Sequence, residues 1–165
     1  MNSTLYFTAL IVHIICVATW FGGNIFFIGF VALSRREPFL KNIRARLIYI
    51  YATAYRKMTY YLLGLALASG LLLVHANGLL NTQILALPNG KMILFKFCIF
   101  VLMLALQLVH DFVIGPRSYQ LNGEEVIIRD EYRVINRIAG YFGFLLTCTL
   151  LVLGAMISRK VDLFR

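Results

Sequence analysis

The candidate chemistry of this sequence lies in a few polar side chains set inside long apolar stretches: His13, His75, Lys96, His110 and Asp111. Ionisable groups at membrane depth are costly, so each is a candidate for function. Two neutral imidazoles from different helices of a bundle can ligate a haem iron or hold a copper ion. His13 and His75 are the candidate metal ligands on this reading. An ammonium close by can pair with a haem propionate or another anion, which makes Lys96 an accessory cation. Cys16 and Trp20 follow His13 by three and seven residues and share its helix face. Trp20 suits the wall of a flat cofactor pocket, Cys16 suits a soft copper ligand, and Met92 and Met156 offer thioether sulfur.

Each of these residues also has a plainer reading. His13 can bond another helix, and His75 can sit at a membrane interface. Lys96 can snorkel to headgroups. Trp20, the three cysteines and the methionines can simply pack. His110 and Asp111 form either a proton-handling pair or the interfacial end of a helix beside Arg117. The three histidines are too far apart in sequence to make a metal motif by themselves, so a site must be assembled by the elements that carry them.

Those elements follow from composition. Of 165 residues, 61% are hydrophobic and 14% are charged. A soluble domain carries about 25% charged residues, and one small core cannot hide so much apolar surface. About 20 apolar residues cross a bilayer, so the chain predicts an all-α, polytopic membrane four-helix bundle forming one integral membrane domain over residues 1–165. The spans are expected at about 5–33, 58–78, 92–114 and 138–158. The first lacks a basic leader region and is followed by Arg35-Arg36-Glu37-Pro38, so it reads as a retained helix and not a signal peptide. Between spans one and two, Phe39, Leu40, Ile43, Leu47 and Ile50 recur at helical spacing among Lys41, Arg44 and Arg46. That pattern predicts an amphipathic helix at the interface, separate from the next span or continuous with it. Leu87-Pro88-Asn89-Gly90 is strong turn chemistry. The third span is expected to stop at Gly115-Pro116-Arg117, with a polar loop after it. Gly64/Ala68, Ala66/Gly70 and Ala139/Gly143 have the small-xxx-small spacing of close helix contacts.

The 16 Lys and Arg against 7 Asp and Glu give a formal charge of +9. In a membrane protein this is first a topology signal. Arg35, Arg36, Lys41, Arg44, Arg46, Arg56 and Lys57 lie between spans one and two, and Arg117, Arg129, Arg133 and Arg137 between spans three and four. Lys91, Arg159, Lys160 and Arg165 fall on the other side. The bias places both longer loops in the cytoplasm and both termini outside, and it makes nucleic acid an unexpected partner. With that orientation, His13, His75 and Lys96 lie about 5–10 Å inside the outer face at 1.5 Å per residue. No Gly-rich phosphate loop, GxSxG or HExxH occurs, so nucleotide and hydrolytic chemistry have no support.

His13-Ile-Ile-Cys-Val-Ala-Thr-Trp20-Phe-Gly22-Gly23 resembles the first-helix pattern of the CopD-type copper-resistance membrane domain. Leu94-Phe95-Lys96, the run His110-Asp111-Phe112-Val113-Ile114-Gly115-Pro116-Arg117, Asn136-Arg137 and Gly154 also look like members of that group. The resemblance implies copper handling or haem-b-linked electron transfer in a bacterial inner membrane. The partners expected are the lipid bilayer and a quinone or redox protein, with assembly into a homo-oligomer or a larger membrane complex. The chain is also similar to the HemJ-type protoporphyrinogen oxidases at His13 and Lys96, but it departs from that family's pattern at Asn24-Ile-Phe-Phe-Ile-Gly. A haem-dependent oxidase is therefore the alternative. A purely structural helix subunit of a respiratory complex is the second alternative.

Overall fold

The computed structural model describes residues 3–76, 90–122 and 125–159. It contains four helices long and apolar enough to cross a membrane, and the all-α, four-helix class is borne out. Helix α1 spans Ser3–Arg36, and α2 spans Arg44–Ala76. Helix α3 (Gly90–Val109) runs through a π-helical turn at His110–Ile114 into the short α4 (Gly115–Ser118). Strands β1 (Tyr119–Asn122) and β2 (Glu125–Ile128) follow, and α5 covers Asp130–Ser158. The contacts group into two compact units: α1, α2 and the strands form one, and α3, the π turn, α4 and α5 form the other.

In the first unit, α1 ends where Pro38 forces it to. A residue before proline is pushed out of the helical region, and Glu37 is extended, at φ −87° and ψ 111°. Arg35 and Arg36 in the last turn complement the negative end of the helix dipole. A single 3₁₀ turn at Pro38–Leu40 leads into α2. The stretch expected to be amphipathic is thus split: Phe39 and Leu40 lie in this turn, while Arg44 onward is continuous with the second span.

Helices α1 and α2 pack antiparallel along a seam whose central residues recur at helical steps of three and four. Ala9, Cys16, Trp20 and Ser34 are buried on α1, and Ile48, Thr59, Leu63, Ala66 and Ser69 on α2. His13 falls on the same α1 stripe, four residues after Ala9 and three before Cys16. Lower in the seam, the Tyr51 ring stacks on Phe27 at 5.0 Å and on Tyr55 at 5.6 Å. Tyr55 donates its hydroxyl to the Trp20 carbonyl at 2.8 Å. Gly23 makes that bond possible, because a Cβ there would lie 2.6 Å from two atoms of the Tyr55 ring.

The polar loop expected after the third span is in part an antiparallel hairpin, with Tyr119 opposite Ile128 and Asn122 opposite Glu125. It packs on α2, where the Tyr119 and Tyr49 rings meet edge to face at 5.2 Å. Burial pushes the Tyr119 phenol above its ordinary value of 10.0, opposed by the Arg56 charge and reinforced by Tyr49. The folded state therefore holds a proton that the unfolded state releases above pH 10.0. This contribution is complete below that pH and is lost as pH rises through the raised value. Denaturation midpoints at about pH 9 and about pH 11 are expected to differ less in Tyr119→Phe than in the native protein.

In the second unit, α3 and α5 pack antiparallel. Met92 and Met103 are buried on α3, and Thr147, Leu150 and Leu153 on α5. The third span does not stop at Gly115-Pro116-Arg117 as its sequence suggested; helical structure continues to Ser118. Proline lacks an N–H, and its ring crowds the carbonyl one turn back in an α-helix. Here the preceding turn is wider, with the Gly115 N–H donating to the His110 carbonyl five residues back, so the chain passes Pro116 without breaking. Helix α5 starts earlier than expected, at Asp130, with Asp130 and Glu131 in its first turn where carboxylates suit the helix dipole. Of the small-residue pairs, Ala66/Gly70 lies in a helix contact. Cβ atoms built on Gly64 and Gly143 would meet nothing within 4 Å among the described residues. The turn expected at Leu87–Asn89 and the basic tail from Lys160 lie outside the described residues.

Candidate functional site

The first candidate site is built around His13. Its Nδ1 lies 2.8 Å from the Ala66 carbonyl oxygen and 3.2 Å from Ser69 Oγ. A carbonyl only accepts, so Nδ1 carries the proton. Ser69 is compatible with this, because its own hydroxyl donates back to the Leu65 carbonyl at 2.6 Å and presents a lone pair to the imidazole. The neutral ring is thereby held as the Nδ1–H tautomer, with its lone pair on Nε2. Gly70 completes the seat: a Cβ there would lie 3.2 Å from His13 Cε1, a tight contact that would push the ring back by a few tenths of an ångström. A histidine that ligates a metal almost always donates its other ring N–H to a carbonyl or carboxylate, and His13 has that arrangement.

His75 is in the same unit but on another face. Nine positions separate it from Ala66, which at 3.6 residues per turn is about half a turn out of phase. It is exposed, and α2 does not bring it to His13. Trp20 is buried two turns along α1 from His13. Its carbonyl accepts both the Tyr55 hydroxyl and the Asn24 amide, at 2.8 and 3.1 Å. The Trp-x-Gly-Gly pattern thus has a packing role here, with Gly23 clearing the space for Tyr55. Cys16 is buried, Cys148 half-buried and Cys98 exposed, and all three are free thiols.

Lys96 belongs to the second unit. It is half-buried in the α3 stripe, four residues after Met92 and seven before Met103, and it points across the seam. A Cβ on Gly154 of α5 would lie 3.1 Å from its Nζ. Lys96 therefore lies in a helix contact, with its ammonium over a glycine. His110 and Asp111 are in the π turn of the same unit, at the other end of the third span.

Sequence reasoning missed the groups that seat His13. Ser69 gave no signal, while Ala66 and Gly70 were visible only as a small-residue pair. Among the described residues, no three His, Cys, Asp or Glu side chains are grouped to hold a metal ion. Compared with protein-family models, with curated proteins and with solved structures, the chain matches none of them.

Proposed function

We propose that this chain is a CopD-like inner-membrane protein for haem-b-linked electron transfer, in which His13 would hold the haem iron through Nε2. The observation that carries the reading is the bond from His13 Nδ1 to the Ala66 carbonyl at 2.8 Å. It fixes the tautomer and ring orientation, and it raises the basicity of the nitrogen left to ligate. Haem needs as few as one protein ligand, whereas a copper centre draws on several grouped donors. His13 offers the first and, among the described residues, no grouped set of His, Cys, Asp or Glu donors offers the second.

Bound haem supplies one-electron chemistry, exchanged with a quinone or a redox protein. The chain's own residues hold the ligand and limit water. Ala66 and Ser69 orient the imidazole, Gly70 lets it approach α2, and the buried Cys16 and Trp20 close the seam below it. His75 takes no part in this reading. The basic residues between spans one and two and between spans three and four support an orientation with both termini outside.

The test is a visible spectrum with metal analysis of the full chain purified in mild detergent. A reduced b-type spectrum with stoichiometric iron is expected. It should fall at least about tenfold in His13→Ala, since losing even an outer partner of a metal ligand costs about 10–100-fold, and persist in His75→Ala. Stoichiometric copper without haem turns the assignment to copper handling. Haem retained in full by His13→Ala overturns it.

A further inference from the structure

The π turn of the second unit carries a separate polar assembly that the reading of His13 does not use. Asp111 is 5% exposed in a predominantly apolar helix, about ten ångströms inside its Ser118 end by helical rise. Its Oδ2 accepts the Gln107 amide at 2.9 Å, and its Oδ1 lies 3.1 Å from His110 Nδ1. The His110 side chain is 36% exposed. The buried stripe continues through Gly115 to Ser118. There Ser118 Oγ donates to the Ile114 carbonyl at 2.7 Å and accepts the Asn136 amide of α5 at 2.9 Å. Asn136 Oδ1 is buried and has no hydrogen-bond partner among the described residues.

A buried carboxylate in a membrane helix is expensive and marks function by default, and π turns recur at functional sites. The geometry here adds a direction. An ionised carboxylate only accepts, so His110 donates from Nδ1 and keeps its lone pair on Nε2. One edge of the imidazole is fixed by a buried anion, while the rest of the half-exposed ring is not covered by protein. This is the working arrangement of a His–Asp acid–base pair, in which the carboxylate sets the tautomer and stabilises the imidazolium that forms.

We propose that His110 and Asp111 form a proton-exchange site at the end of the third span. A proton arriving from water adds to the Nε2 lone pair, the neutral imidazole becomes imidazolium, and Asp111 remains ionised and holds the Nδ1–H. Release reverses the step, so charge and protons balance without a co-reactant. Asp111 is a positioning residue, and His110 is the group that binds the proton. Both residues lie in the π turn, where Asp111 is buried and His110 stays half-exposed. Among the described residues of this unit, the charged and titratable groups on the elements packed against the turn are Lys91, Lys96 and Cys98 on α3, Arg117 on α4, and Asp130, Glu131, Tyr132, Arg133, Arg137, Tyr141 and Cys148 on α5. The charged ones on α4 and α5 are exposed, and Asp130 and Arg133 are paired at 2.6 Å.

Solid-state ¹⁵N spectra of the full chain in lipid bilayers, with labelled histidine, test this directly. His110 is assigned by its loss in His110→Asn. In alkaline buffer its signals should show Nδ1 protonated and Nε2 bare, and acidification should convert them to the doubly protonated form. Asp111→Ala should return His110 to the Nε2–H tautomer that unconstrained imidazole prefers. Gln107→Leu should leave the Nδ1–H tautomer in place. A native His110 found as Nε2–H, or one that does not change form on acidification, overturns the proposal. Both readings come from the native protein, so a misfolded Asp111→Ala does not blunt the test.

Discussion

Replacing Gly23 with alanine is expected to weaken the α1–α2 pair by about 1–3 kcal/mol, the usual cost of forcing extra volume into a packed seam. The new methyl would lie 2.6 Å from two atoms of the Tyr55 ring, so the ring must move. It is not free to do so cheaply. Its hydroxyl is bonded to the Trp20 carbonyl at 2.8 Å and its face lies against Tyr51 at 5.6 Å, which in turn stacks on Phe27 at 5.0 Å. Displacing Tyr55 therefore disturbs a column of rings as well as one hydrogen bond. Gly22→Ala is the control, because a Cβ there meets nothing within 4 Å among the described residues. Trp20 is the one tryptophan of the chain and is buried in this seam, so its fluorescence reports unfolding in detergent. Gly23→Ala should unfold earlier and Gly22→Ala should follow the native curve; equal midpoints for the two variants would refute the argument. Tyr55→Phe should by itself cost roughly 0.6 kcal/mol, the average for hydrogen bonds between membrane helices. Combined with Gly23→Ala it should be less than additive, since the two changes act on one contact.

How much of this was legible beforehand depends on which physical signal each feature leaves in the sequence. Helix count was plain, because a bilayer demands an uninterrupted apolar run and four such runs are visible. Helix ends were less so. Arg35-Arg36-Glu37-Pro38 flanks the first span, and α1 ends there because the residue before proline is disfavoured in the helix. Gly115-Pro116-Arg117 suggests a stop too, yet a π turn just before Pro116 lets helical structure run on to Ser118. A hydrophobicity pattern carries no trace of one extra residue in a turn. The hairpin did leave a sign, Asn122-Gly123 between strand-forming residues, but the surrounding charges made the segment look like an open loop. At the candidate site, His13 and Lys96 stood out because they are ionisable residues among apolar ones. Their seats did not, because Ala66, Ser69, Gly70 and Gly154 are ordinary membrane-helix residues whose role comes from the helix opposite. Depth along the span grouped His75 with His13, but azimuth separates them. A residue's distance from the membrane face can be counted from sequence, whereas its direction depends on which stripe of the helix finds a partner.

Lys96→Met is the change expected to raise stability most, by about 1–3 kcal/mol, somewhat below the roughly 2.5–3.5 kcal/mol of a lysine at the bilayer centre because Lys96 lies nearer a membrane face. The two side chains have similar length, so the place over Gly154 is still filled while the charge is removed. Among the described residues Lys96 has no hydrogen-bonded or ionic partner, and its ammonium lies where a Cβ on Gly154 would be 3.1 Å away. An uncompensated cation in that position is a loss for folding, and methionine fills the same groove without it. Gly154→Ala should be mild, because the group it meets is the far end of a flexible chain that can swing aside. Lys96→Arg should be worse than Lys96→Met, since a broad guanidinium does not fit over the glycine. The same series measures what the cation is for. If Lys96 serves an anionic group that the protein binds, Lys96→Met will unfold later but hold that group more weakly, a trade of stability against function. A Lys96→Met protein that unfolds earlier than the native one would instead make the ammonium a structural element of the α3–α5 contact.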